Sequence, residues 1–117
     1  MTPALAALGY DEATRIRFLN DRLRTMGIGG KVLITQGIQA LSEPDRHLVI
    51  LMVRAFDAFT EDNDPQLEHD FGSFDHAGRK IFWKIDYYDP SMEWGSEDPS
   101  DDEKTVRVLT IMLADEY

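Results

Sequence analysis

The 117-residue chain holds 22 acidic and 12 basic residues, which give a formal net charge of −10 at pH 7, and it holds no cysteine. These numbers exclude disulfides and cysteine chemistry, and they argue against direct binding of nucleic acid or of anionic membranes. With 43% hydrophobic residues, the composition favours one folded domain at residues 11–117, after a loose arm at residues 1–10.

Targeting features are not visible in the sequence. The first residues combine a short apolar run with no basic segment, and no apolar run approaches the roughly 20 residues that span a bilayer. We therefore expect a cytoplasmic protein without a membrane partner, either a monomer or a small oligomer.

The first helix is predicted to begin after the capping residue Asp11 and to end before Gly27. Apolar residues recur along it at three- and four-residue spacing, as on one face of a helix. These residues are Ile16, Leu19, Leu23 and Met26. The arginines of this helix lie largely outside the apolar stripe, so we expect them to form a solvated basic face. They are Arg15, Arg17, Arg22 and Arg24.

A β-branched run at residues 32–35 predicts a short strand, and Ser42, Pro44 and Asp45 then form a typical start for a second helix. The apolar residues that follow are numerous enough to predict a helix buried over much of its circumference. Its expected core face consists of Leu48, Leu51, Met52, Ala55, Phe56 and Phe59, and it is widened by Val49, Ile50 and Val53.

A β-hairpin follows, with arms at residues 71–74 and 80–88 and a turn at residues 75–78. Alternation places Ile81, Trp83, Ile85 and Tyr87 on its core face. A nearly continuous apolar run at residues 106–113 predicts an interior strand. The predicted fold is an α+β domain in the order α-β-α-β-β-β, with a mainly antiparallel four-stranded sheet covered by two helices.

The negative charge is concentrated in one stretch. Residues 60–104 hold 14 acidic and four basic residues, whereas residues 1–59 hold six acidic and seven basic ones. Because the two ends of a hairpin lie side by side, Glu68, His69 and Asp70 should approach residues 86–89. The acidic loops at 60–69 and 89–104 leave from that same end, so we expect a dense acidic rim there.

Three interpretations of this rim remain open. In the first, many of the acidic side chains only accept hydrogen bonds from backbone amides in turns. The residues concerned are Asp62, Asp64, Asp75, Asp89, Asp98 and Asp101.

In the second, Glu68, Asp70 and Asp86 bind a divalent cation such as Mg²⁺ or Ca²⁺, and His69 acts as the base of a metal-dependent hydrolase or nuclease. No established metal-binding motif supports this alternative.

In the third, the rim binds a basic surface of another protein, where carboxylates take the place of phosphates and aromatic rings the place of bases. This interpretation requires no catalytic geometry and no cofactor, and it is the one that we favour. The predicted contact residues are Glu68, Asp70, Asp86, Tyr88, Asp89 and Trp94.

Several segments of the chain resemble a family of small bacterial domains of unknown function, found mostly in alphaproteobacterial genomes and plasmids. The segments that carry the likeness include EHDFG at 68–72, FWKIDYYD at 82–89 and RVLTIML at 107–113. The resemblance implies a bacterial cytoplasmic protein that travels with mobile elements. By association, it suggests an inhibitor of host defence nucleases, in an anti-CRISPR or anti-restriction role.

Overall fold

The structure is a computed structural model that describes residues 9–117. Most of the predicted loose arm at residues 1–10 therefore lies outside the described residues. The elements in chain order are α1 (Glu12–Met26), β1 (Lys31–Ile34), α2 (Gln36–Gln39), α3 (Glu43–Ala55), β2 (Phe71–His76), β3 (Arg79–Tyr88) and β4 (Val106–Leu113). Short 3-10 turns cover Asp102–Lys104 and Ala114–Glu116.

The four strands form one sheet in the order β1-β4-β3-β2. The pairings of β2 with β3 and of β3 with β4 are antiparallel, whereas β1 runs parallel to β4. The sheet is therefore mixed, which corrects the predicted mainly antiparallel arrangement. No hairpin joins β1 to its neighbour, so no local turn sets the direction of this strand.

The helices begin where their capping residues predict. The Asp11 carboxylate accepts a hydrogen bond from the Thr14 amide at 2.8 Å, and the Ser42 hydroxyl accepts one from the Asp45 amide at 3.2 Å. Gly27 ends α1 in the left-handed conformation. The short helix α2 is an addition to the predicted element order, so the chain reads α-β-α-α-β-β-β.

One face of the sheet packs against the helices and contains the core. Trp83, the largest core side chain, is fully buried among residues of β4 and α3. The core also contains Leu23, Ile38, Val49, Val53, Ile81, Ile85, Leu109, Ile111 and Leu113. The predicted core face of β3 is thus confirmed, and β4 is the interior strand that its sequence indicates.

The predicted core face of α3 is correct only in part. Val49 and Val53 are buried, whereas Leu48 and Leu51 on another side of the helix are each 48% exposed. The helix ends at Ala55, but Phe56 and Phe59 beyond its end, like Ile50 within it, are partly buried against the core. Two neighbouring stripes of α3 are similarly apolar, so composition does not distinguish the one that meets the sheet.

The long loop between β3 and β4 is tied to the sheet at several points. Gly95 forms a β-bridge with Tyr88, and the hydroxyls of Ser96 and Thr105 lie 2.7 Å apart. The sulfur of Met92 lies 3.3 Å from the ammonium nitrogen of Lys31, which is two strands away from β3. The loop therefore folds back on the domain.

Candidate functional site: the acidic end of the hairpin

The open end of the β2–β3 hairpin brings the predicted acidic residues together. Phe71 pairs with Lys84, and the amide of Ile85 donates a hydrogen bond to the carbonyl of Asp70 at 2.8 Å. The residues just before β2 therefore lie beside the last residues of β3. We use the name acidic hairpin end for Asp64, Glu68, Asp70 and Asp86.

Electrostatic crowding is visible at Asp70. Partial burial raises the pKa of Asp70, and the negative charges of Glu68, Asp64 and Asp86 raise it further. Asp86 pairs with Lys84, but no ion pair among the described residues reaches Glu68 or Asp70. The fold thus holds like charges together without balancing all of them.

A buried network behind these carboxylates begins at Asn20 of α1, which is fully buried. Its amide nitrogen donates to the Glu68 carbonyl at 2.9 Å and to the Tyr87 hydroxyl at 2.7 Å. The Tyr87 hydroxyl in turn donates to a carboxylate oxygen of Glu68 at 2.8 Å. Burial strongly raises the pKa of Tyr87, so this hydroxyl keeps the proton that it donates.

Arg107 completes the network from β4. It is fully buried, and its Nε donates to the Asn20 side-chain oxygen at 3.1 Å. Its other nitrogens contact the Pro99 carbonyl and, at 3.4 Å, the Asp102 carboxylate. The guanidinium also lies over the Tyr87 ring, 5.6 Å from its centre. The interior of the fold therefore fixes the position of Glu68.

His69 adopts an uncommon backbone conformation, with φ of 54°, which a non-glycine residue retains only when its surroundings hold it. Its amide donates to the buried Asp64 carboxylate at 3.0 Å. Its ring stacks on Phe59 at 3.6 Å, and its Nδ1 lies 2.8 Å from a carboxylate oxygen of Asp21. The segment before β2 is therefore firmly held on α1 and on the preceding loop.

Tyr88, Asp89 and Trp94 form the neighbouring part of the predicted contact surface. Asp89 and Trp94 close a turn, in which the Asp89 amide donates to the Trp94 carbonyl at 2.8 Å. The Asp89 carboxylate accepts from the Ser91 hydroxyl at 2.7 Å, and this bond lowers the pKa of Asp89. The Trp94 side chain is 71% exposed, so it is available to a partner.

The turn-capping interpretation is confirmed for several acidic residues. The Asp98 carboxylate accepts from the Ser100 amide at 3.1 Å, and the Asp101 carboxylate accepts from the Glu103 amide at 2.9 Å. Asp64 does the same for His69. These side chains stabilise the loops through their hydrogen bonds, and they also contribute negative charge to the surface.

No metal-binding group was found in the part of the chain that the structure describes: within residues 9–117, no three His, Asp or Glu side chains are placed to hold an ion. In the same residues, no helix has the length and apolar composition to cross a membrane. The ring of His69 contacts the carboxylates of Asp21 and Asp64.

Sequence reasoning missed the residues behind the site, and it placed Arg24 on a solvated face, which is wrong. Arg24 is buried, and its guanidinium donates to the carbonyls of Val53, Arg54 and Phe56 at the end of α3. A signal was available for Arg107, since it is the single charge within the apolar run of β4. Asn20, beside Leu19 on the buried side of α1, gave a weaker one.

Together, the fold and the site define a small α+β domain with one helix-covered face and a rigid acidic end. The chain belongs to a family described as "Protein of unknown function (DUF3768)", whose model matches residues 34–116. The match runs from the last residue of β1 to residue 116 and leaves out α1. No curated protein and no solved structure shows significant similarity to the chain.

Proposed function

We propose that this protein is a binding module whose acidic hairpin end, together with Asp89, Tyr88 and Trp94, engages a basic surface of another protein. The observation that carries the proposal is geometric: the hairpin register brings the acidic residues before β2 beside Asp86, and no ion pair among the described residues reaches Glu68 or Asp70. A cationic partner would relieve the repulsion between these carboxylates on binding, so the electrostatic cost present in the free domain becomes a gain in the complex.

The rigidity of the site supports the same proposal. Glu68 is fixed by Asn20 and Tyr87, and His69 is fixed by Asp64 and Asp21. A surface that is already ordered loses little conformational entropy on binding, which leaves more of the interaction energy for affinity. The exposed Trp94 adds the kind of aromatic anchor that often dominates binding energy at interfaces.

A basic nucleic-acid-binding groove is the partner surface that we favour. Such grooves bind rows of phosphates, and a row of carboxylates with neighbouring aromatic rings offers similar charge and stacking. In this proposal, the protein acts as a mobile-element inhibitor, in an anti-CRISPR or anti-restriction role, by occupying the groove of a defence complex.

The decisive experiment reverses charge at the site. Purified CRISPR effector complexes and restriction endonucleases are immobilised, and binding of the wild-type chain is compared with that of the double variant Asp86→Lys/Asp89→Lys. A matched control, Asp75→Lys/Asp115→Lys, makes the same change in net charge at exposed positions elsewhere. We expect the site variant to lose affinity by at least about tenfold, while the control retains most of it.

DNA should compete with the wild-type chain for the same complexes, and added salt should weaken the binding. The proposal is abandoned if none of these complexes binds the wild-type chain. Equal affinities of the two double variants would also overturn it, because binding would then follow net charge rather than this site.

A further inference from the structure

The outer edge of β1 is an open sheet edge. Among residues 9–117, β1 pairs with β4 on one side and with no strand on the other. The amide of Thr35 donates to the Ile111 carbonyl at 3.1 Å, so the alternate residues Val32 and Ile34 point their backbone groups away from β4. The Ile34 carbonyl accepts from the Gln39 side chain at 3.0 Å, which leaves the amide and carbonyl of Val32 facing outwards.

The segment that forms this edge is largely apolar and carries one charge. Every residue from 25 to 33 is exposed, including Met26, Ile28, Val32 and Leu33. Lys31 is the single charged residue of this segment, in a chain of net charge −10. Proteins usually protect open edges with several charges, prolines or bulges, and this edge has one lysine at its first position.

The charge distribution favours a second copy of this chain as the occupant. Lys31 and Asp86 both pair with Val108, so the start of β1 lies at the same end of the sheet as the acidic hairpin end. Two copies of β1 that meet antiparallel about a two-fold axis place their starts at opposite ends. The two acidic ends are then kept apart, whereas contact through those ends would bring them together.

We propose that two copies of the protein associate through the outer edges of their β1 strands and form one continuous eight-stranded sheet. In one register, Val32 of the first copy lies directly opposite Val32 of the second. The amide of each Val32 then donates to the carbonyl of the Val32 in the other copy. Lys31 of each copy then lies beside Leu33 of the other, where its aliphatic stem covers the exposed leucine. Residues 25–33 contain no carboxylate that could pair with a basic partner strand, so their charge does not favour such a partner at this edge.

The test measures the mass of the full chain by sedimentation over a range of concentrations, at low and at high salt. We expect a reversible monomer–dimer equilibrium, with a subunit of 13.4 kDa. High salt should strengthen it, because screening reduces the repulsion between two acidic subunits. This direction is opposite to that expected for a basic partner at the acidic hairpin end.

Two matched variants locate the contact. Leu33→Lys places a second charge beside Lys31 of the other copy, and we expect the dissociation constant to rise about tenfold. Leu48→Lys makes the same chemical change at a leucine of similar exposure on α3, and it should leave the equilibrium unchanged. A chain that stays monomeric in high salt at the highest concentration overturns the proposal, as does an equal effect of the two variants.

Discussion

The two ends of the β2–β3 hairpin handle charge in different ways. At the turn, Asp75 lies 3.7 Å from Lys80, and Asp45 at the start of α3 lies 3.0 Å from the His76 ring. At the open end, partial burial raises the pKa of Asp70, and the negative charges of Glu68, Asp64 and Asp86 raise it further. The charges at the turn are locally matched, whereas Glu68 and Asp70 at the open end have no ion pair among the described residues.

This contrast shows where the fold tolerates an electrostatic cost. The turn carries a local strain of its own, since Ala77 and Gly78 both have positive φ, as a two-residue hairpin turn with the strand twist requires. The open end instead depends on a buried network that reaches α1 and β4. Because the network fixes Glu68 in place, that end has the preorganisation expected of a binding surface.

The largest effect on stability is expected from removing the centre of that network. Arg107→Met leaves the side-chain oxygen of Asn20 and the carbonyl of Pro99 without their donor. Buried acceptors that lose a partner are costly, so we expect a loss of about 2–4 kcal/mol in the free energy of unfolding. Chemical denaturation measures this loss.

The matched change at the turn end is Lys80→Met, which removes an exposed ion pair with Asp75. Exposed pairs contribute little, so the expected change is within about 0.5 kcal/mol. If the two variants were equally stable, the open end would not depend on its buried network, and the contrast between the ends would fail.

An intermediate effect is expected at Gly72 on β2. A Cβ at this position would press against the Trp83 indole, 2.6 Å from Cε2, and would lie 2.8 Å from Cζ of Phe56. Gly72→Ala should therefore cost about 1–3 kcal/mol through overpacking. It should also shift the emission of Trp83, measured in a Trp94→Phe background.

Gly78→Ala is the comparison at the turn, where a Cβ meets nothing within 4 Å but the residue has φ of 78°. That variant should lose about 1 kcal/mol through backbone strain alone, with the Trp83 emission unchanged. An unchanged emission in Gly72→Ala would show that β2 moves away from Trp83 at no cost to the core.

Local patterns in the sequence predicted the elements that local chemistry decides. Ser42 caps α3 as expected, and alternation along β3 identified Trp83 and its neighbours as the core. The meeting of Glu68, Asp70 and Asp86 also followed from the sequence, because hairpin geometry alone brings the ends of its arms together.

Features that depend on distant partners could not be predicted in this way. The parallel pairing of β1 with β4 joins residues 77 positions apart, such as Lys31 and Val108, and no turn residue encodes it. The helix α2 has four residues and no side-chain cap, so it gives no local signal. Arg24 looked like a solvated arginine because its acceptors, the carbonyls at the end of α3, come into reach only in the folded chain.

The smallest effect on stability is expected from Asp70→Asn. It is also the effect that depends most directly on the difference in charge balance between the two ends of the hairpin. Burial and the neighbouring carboxylates raise the pKa of Asp70, so the folded chain binds this proton more tightly than the unfolded chain. Stability then falls as pH rises from the unfolded pKa, about 3.9, through the folded one, and the cost is complete above it. Asp70→Asn should raise the melting temperature at neutral pH and lose this advantage at about pH 3.

Asp45→Asn at the turn end should behave in the opposite way. The hydrogen bond from His76 lowers the pKa of Asp45, so its carboxylate stabilises the fold at neutral pH, and this contribution is lost as pH falls through the folded pKa. The variant should therefore melt lower than the wild type at neutral pH and approach it in acid. If both variants shifted the melting temperature in the same direction at neutral pH, the two ends of the hairpin would not differ in how their charges are balanced.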